Sequence, residues 1–295
     1  MNELRLVGAG GEPVDLRRTL ASHGVATLPP QRLDEETWTL ETTLAVGRAT
    51  ARTVRISEAH GNARVELVGG QAGEAMRGRL LATVRHMLRL DDDLSGFYAV
   101  AAVDPALSWA AAGAGRMLRG ATVFEDVVKT VCTTNTSWGG TTRMVTAIVE
   151  GLGDPSPDGR HAFPSADAMA GANESFYREV ARAGYRAPYL RELAASVAAG
   201  EVDLEALADP ELPDEEAAAR LLALPGIGPY GAAHVMLTSL GRYSRLVFDS
   251  WTRPTYARLN GRKAADKTIE RRFRKRYGEW AGLAFWLYLT EGWVT

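Results

Sequence analysis

Residues 221–258 hold the tightest constraint on how this chain can fold. Two apolar, alanine-rich runs, one ending at Leu224 and the other running from Ala232 to Leu240, are separated by little more than Pro225-Gly226-Ile227-Gly228. Both runs have the composition of helices, and two glycines flanking one aliphatic residue let the backbone reverse tightly while Ile227 fills the gap between them. The amides of such a turn, with the first amides of the following helix, can face an anionic oxygen. Gly241 closes the second helix, a short extended piece from Leu246 to Phe248 comes next, and Asp249 arrives immediately before a new helical segment that starts at Ser250. A carboxylate at a helix mouth keeps its charge, because the helix N-terminus favours the ionised form. Asp-Ser-Trp-Thr is also a good capping sequence, so a plain helix cap is the alternative reading of Asp249.

The chain changes character near residue 90. Thr37 to Gly47, Ala49 to Ser57 and Asn62 to Val68 are rich in Thr and Val, alternate in polarity and are separated by Gly or Asn turns, which predicts an antiparallel sheet. Glu74 to Leu90 reads as a helix, Asp91-Asp92-Asp93 as a break, and most of the remaining chain as helices. Loops are expected over Gly153 to Gly159 and Pro210 to Asp214. The fold class is therefore α+β, mostly α, with an N-terminal antiparallel β-rich domain over 1–90 and a helical domain over 91–295.

The single cysteine, Cys132, excludes a disulfide framework and a four-cysteine iron-sulfur cluster, and is read as an inert core thiol. No stretch has the apolar length of a membrane span and Met1 to Gly11 lacks a signal-peptide core, so no membrane partner and a cytoplasmic location (at the nucleoid in a bacterium) are expected. The net charge of -2 hides an asymmetry, since residues 242–276 carry twelve Arg or Lys against Asp249, Asp266 and Glu270, a local charge of +9 that leaves about -11 elsewhere. Such a run directly after Asp249 suggests a face that meets an anion, with a solvated helix surface as the plainer reading.

The hairpin followed about twenty residues later by an aspartate at a helix start resembles the helix-hairpin-helix DNA glycosylases. Three further segments share the resemblance. Val131-Cys132-Thr133-Thr134-Asn135 is similar to the segment that 8-oxoguanine glycosylases push into the space left by an extruded nucleotide, Gly184-Tyr185-Arg186-Ala187 to a second stretch of the same enzymes, and Tyr277 to Trp293 to the last helix of oxoguanine and alkylpurine glycosylases. Together they cover residue 120 or so to the end. The hairpin alone also occurs in DNA-binding modules that catalyse nothing.

The resemblance implies two helical subdomains with a cleft between them, one over 121–230 and one combining 91–120 with 231–295. It implies that Asp249 stabilises positive charge on a sugar as an N-glycosidic bond breaks. Pro225, Gly226, Ile227, Gly228, Tyr230 and Arg253 would touch DNA, and Asn135, Tyr185 and Arg186 would serve as plug and wedge. Trp138, Phe285, Trp286 and Leu289 would wall the base pocket, with Tyr230 as a further aromatic candidate, and an ordinary core ring is the alternative reading of each aromatic. The expected partner is double-stranded DNA holding a damaged base, bound by a monomer. No cofactor is required, although the backbone of Gly226 and Gly228 offers a place for a monovalent cation, Na+ or K+.

Two positions bear on the reaction. Tyr230 stands where bifunctional members carry the lysine that attacks the sugar, which implies hydrolysis without strand cleavage; Lys129 matches no catalytic position. Phe285 and Leu289 stand where oxoguanine enzymes place a glutamine reader and a stacking phenylalanine, and Thr136 replaces an asparagine, which favours an alkylated purine over 8-oxoguanine. A non-catalytic binder of damaged DNA would have no need of Asp249, and a protein-docking module no need of the basic run.

Overall fold

The computed structural model describes residues 2–47 and 49–294. Five antiparallel strands, β1 (Asn2–Arg5), β2 (Gln31–Asp34), β3 (Thr39–Gly47), β4 (Thr50–Ala59) and β5 (Asn62–Val68), form one sheet in the order β1-β5-β4-β3-β2. The three strands expected from alternation are β3, β4 and β5. In β3 and β4 Thr43 stands opposite Thr53, their hydroxyls 2.9 Å apart in a buried pair. The two edge strands were not expected: each is four residues long, and β1 gains its register from β5, with Leu4 opposite Ala63. One face of the sheet packs on α1 (Leu16–Leu20) and α2 (Glu74–Met87), burying Leu16, Leu20, Leu40, Ile56 and Val84 in a core of its own.

The rest is helical: α3 (Ser95–Ala102), α4 (Val123–Thr133), α5 (Trp138–Leu152), α6 (Ala166–Gly171), α7 (Ala187–Ala198), α8 (Asp214–Leu222), α9 (Pro229–Val235), α10 (Thr252–Leu259), α11 (Asp266–Tyr277) and α12 (Ala281–Thr290). Three of their starts are set by capping side chains. Thr122 accepts the Glu125 amide at 3.1 Å at the head of α4, and Ser137 and Ser165 cap α5 and α6 in the same way. The helices gather round two apolar cores. One holds Val127, Val131, Ile148, Leu190, Leu221 and Ile227; the other holds Phe97, Ala233, Leu237, Tyr256, Phe273 and Phe285. The segment that opens as α9 feeds both, with Ala232, Val235 and Met236 facing the first core and Ala233 and Leu237 the second. It therefore stands on the line along which a cleft can open.

The second hairpin helix departs from a plain α-helix. After Val235 it widens into one π turn over Met236–Leu240 before Gly241 ends it at φ 69°. The stretch Leu246 to Phe248, expected as extended, forms no strand; it is an irregular connection into α10. Among the described residues no helix is long and apolar enough to cross a membrane.

Candidate active-site cleft

The hairpin folds as its sequence demands. The Ile227 amide donates to the Leu224 carbonyl at 3.2 Å, closing the turn, and the Ile227 side chain sinks into the first helical core. Gly226 is the residue that needs glycine: its φ is +78°, and an added Cβ would stand 3.0 Å from Tyr189 Cδ2. Gly228 sits at φ -104° with open space beside it, so its lack of a side chain keeps a surface clear and relieves no strain. Gly226 and Gly228 both line a cleft of about 510 Å3, with Tyr230, Phe248, Asp249 and Asn135 among its other walls.

Asp249 is half-buried and lies at the head of α10. Its Oδ1 accepts the amides of Trp251 at 2.7 Å and Thr252 at 2.6 Å, while its own amide donates to the Thr252 hydroxyl at 2.9 Å. It caps the helix and lines the cleft at once, so the two readings of this residue are compatible. Oδ2 takes no part in the capping bonds. Tyr230, on the first turn of α9, faces the same cleft, its hydroxyl 3.4 Å from that of Thr133. Burial pushes the Tyr230 hydroxyl upward, the bond from Thr133 lowers it, and the nearby charge of Asp249 raises it again.

Asn135 and Tyr185, expected as plug and wedge, lie together. Asn135 sits in the left-handed region at φ 45° in the loop between α4 and α5, exposed, and its Nδ2 donates to the Tyr185 hydroxyl at 3.3 Å. Arg186 does not join them at the surface. It is buried, its guanidinium donates to the Thr134 carbonyl oxygen, and it stacks on the Tyr185 ring at 4.4 Å, so it braces Thr134 and Tyr185 from beneath.

The expected pocket walls need correction. Phe285 is fully buried behind Phe248, the rings 5.4 Å apart, and belongs to the second helical core; Leu289 is buried there as well. Phe248, expected only as part of a short extended link, faces the cleft instead. Trp138 is half-exposed with its indole against Gly24, outside the cleft lining. Trp286 is buried and joins Trp251 and Trp293 in a cluster of three indoles with centroids 5.2–6.0 Å apart, next to the loop that carries Asp249. Trp251 and Trp293 were missed because an isolated Trp at a helix start or chain end has no periodic signal.

The basic run is only half available. Ion pairs engage Arg242 with Asp214, Arg245 with Glu215, Arg253 with Asp266, Arg274 with Glu270 and Arg276 with Asp104. Arg253, expected at DNA, forks onto Asp266 and also donates to the Asp249 carbonyl at 3.1 Å, so it braces the helix mouth. Arg258, Arg262, Lys263, Lys267, Arg271 and Lys275 make no ion pair among the described residues. Lys129 is buried against Glu125, Gln31 and the Leu28 carbonyl. Burial pushes the Cys132 thiol up to about 12, too high for thiolate chemistry. Among the described residues no group of three or more His, Cys, Asp or Glu side chains could hold a metal ion.

No family model matches the chain. It is 34% identical over 189 residues to the N-glycosylase/DNA lyase OGG1 of Arabidopsis thaliana, a stretch that makes up 57% of this chain and 51% of that protein. The chain spans about half the length of the curated relatives it matches. Two solved structures superpose over nearly the whole chain. The 3-methyladenine DNA glycosylase from Archaeoglobus fulgidus has a TM-score of 0.75 at 23% identity, covering 100% of this chain and 99% of its own. The apo-form of Clostridium acetobutylicum 8-oxoguanine glycosylase/lyase has a TM-score of 0.73 at 21% identity, covering 95% and 94%. The fold is that of these DNA glycosylases, and over part of its length the chain is similar in sequence to N-glycosylase/DNA lyases.

Proposed function

We propose that the chain is a DNA N-glycosylase that flips a damaged purine out of duplex DNA and hydrolyses its N-glycosidic bond, leaving an abasic site in an intact strand. The observation that carries this reading is the cleft itself: one fixed carboxylate, a glycine hairpin with a clear face, and no amine among the lining residues. As the bond breaks, electrons leave with the base and positive charge grows on the sugar ring. Asp249, held in place by two backbone amides, stabilises that charge and orients the water whose oxygen bonds to the anomeric carbon. A stacked base exposes neither bond nor edge, so Asn135 and Tyr185 would fill the gap once it leaves.

The sequence holds four lysines, Lys129, Lys263, Lys267 and Lys275, and none lines the cleft. Tyr230, which by the resemblance stands where bifunctional members carry a lysine, lines the cleft, and this supports hydrolysis even though the Arabidopsis relative is named an N-glycosylase/DNA lyase. The hairpin also fits a loosely held Na+ or K+: the Leu224 and Gly228 carbonyls each accept one amide and keep a second lone pair. Such an ion, held with the backbone of Gly226 and Gly228, would strengthen the grip on phosphate.

For the substrate, the Tyr230 and Phe248 rings on the cleft wall favour an electron-poor alkylated purine, which stacks well on electron-rich rings. The OGG1 relationship favours 8-oxoguanine as the second reading. Duplexes that each hold one lesion, incubated with the protein and then treated with alkali, test both. Release of a purine with strand breaks only after alkali is the expected result. Efficient covalent trapping by borohydride would mean that an amine attacks the sugar, and the hydrolytic reading would fall.

A further inference from the structure

The hairpin has a back as well as a front. Leu224 and Pro225, which lead into the turn, also line a groove of about 420 Å3 between α7, the loop that follows it and the end of α8. It shares no lining residue with the cleft of Asp249. Its floor is apolar, for Leu193, Leu204 and Leu224 belong to the first helical core and end at this opening. Its rim is acidic, with Glu192, Glu201 and Asp203 all exposed and none of them in an ion pair among the described residues. The rim belongs to a longer stretch, residues 192–216, that holds nine acidic side chains and no Lys or Arg. An occupant that covered the floor would gain from burying apolar surface, and the rim admits a cationic one.

The chain itself carries the complement. Leu259, in the last turn of α10, is 45% exposed, and Arg258, Arg262 and Lys263 beside it are exposed and free of ion pairs among the described residues. An aliphatic side chain among three free cations matches an aliphatic floor under three free acids. The same two stretches already attract each other inside one molecule, where Arg242 and Arg245 at the start of the basic run pair with Asp214 and Glu215. The rest of each stretch is left over. The groove is built on the first helical core and α10 on the second, through Tyr256.

We propose that a second copy of this chain docks the end of its α10 in the groove, with Leu259 on the leucine floor and Arg258, Arg262 and Lys263 against Glu192, Glu201 and Asp203. The two surfaces are unlike, so the contact is heterologous: each molecule offers a groove at one place and an insert at another. Duplex DNA competes for the same cations, so DNA takes the assembly apart into monomers. A contact of this size is weak and sensitive to salt.

Sedimentation of the full chain over a concentration series tests this. At low salt the average mass should rise with concentration towards that of a dimer or beyond, and it should return to the monomer at high salt or on adding a short undamaged duplex. Leu259→Asp, and the double variant Glu192→Lys with Glu201→Lys, change exposed side chains and should fold as the wild type does. Each should weaken association about tenfold or more. Mixed together they should pair again, because the first keeps an intact groove and the second an intact α10 end; a mixture that stays monomeric would overturn the docking. A wild type that is monomeric at every concentration in low salt would also overturn it. If a short peptide with one Leu among Lys and Arg then bound the wild type and not the double variant, the occupant would be a cationic segment of another protein. Oligomers that persist with saturating duplex would overturn the competition with DNA. None of these readouts needs base release.

Discussion

Asp249 and Thr252 hold each other reciprocally: the Asp249 amide donates to the Thr252 hydroxyl at 2.9 Å, and the Thr252 amide returns a bond to Asp249 Oδ1 at 2.6 Å. The pair fixes a carboxylate at the cleft with one oxygen committed to the helix end. An asparagine keeps an oxygen for the capping amides and loses only the charge. Asp249→Asn should therefore melt close to the wild type, bind DNA as well or slightly better, and release base about two or more orders of magnitude more slowly. Single-turnover release beside a binding titration checks this, and near-normal release would move the chemistry to another group.

The two hairpin glycines should fail in different ways. Gly226 is left-handed at φ +78° with Tyr189 at 3.0 Å from an added Cβ, so Gly226→Val should lower stability by about 1–2 kcal/mol or more. Gly228 has no such strain. Gly228→Val should fold normally and lose affinity for duplexes with and without a lesion alike, because phosphate contacts carry no base information. Denaturant titrations and binding isotherms separate the two, and a Gly228→Val defect confined to damaged DNA would place that residue in the base pocket.

How much could be read from the sequence depends on the range over which its signals act. The hairpin is local, so Gly226, Ile227 and Gly228 declare their turn within four residues, and β3 to β5 announce themselves by alternation. β1 and β2 could not be seen in this way, because four residues carry no period and β1 is defined by partners about sixty positions away. The same applies to the site. Asp249, Asn135 and Tyr185 were legible as cleft residues because motif segments mark them. The roles of Phe248 in front of Phe285, and of Arg253 on Asp266, come from packing between segments, where aromatic content and charge sums do not say which ring faces water or which cation is already paired.

Stability should depend on pH through buried imidazoles. Burial is the largest cause that lowers His23 to about 3 and His86 and His234 each to about 4, against about 6.5 in the unfolded chain. A histidine depressed in this way stabilises the fold fully above pH 6.5, and the contribution is lost as pH falls towards the folded value, because the unfolded chain takes protons that the native state refuses. Asp126 opposes this: burial, then the charge of Glu125, raises it to about 6, and its contribution is lost as pH rises from about 4 to 6. Three groups outweigh one, so the urea midpoint should fall steadily between pH 6.5 and 5. His234→Phe should flatten that slope. An unchanged midpoint across the window would mean that these rings take up protons in the folded state without penalty.

Arg186 offers the sharpest test of how the plug is held. Its guanidinium reaches the Thr134 carbonyl oxygen and the Thr134 hydroxyl while lying 4.4 Å from the Tyr185 ring centre, so one side chain ties the Asn135 loop to the turn that carries Tyr185. A lysine retains the charge but has neither the planar face for stacking nor the fork for two acceptors. Arg186→Lys should leave the urea midpoint nearly unchanged, because Asn135 and Tyr185 are exposed and the rest of the helical core does not lean on them. Discrimination should suffer: the ratio of affinities for a duplex with an abasic-site analogue over an intact duplex should fall about tenfold, since a loosened Asn135 and Tyr185 fill the vacated space less well. If that ratio survived while affinity for both duplexes dropped equally, Arg186 would act as a phosphate contact, and its burial beneath Tyr185 would need another explanation.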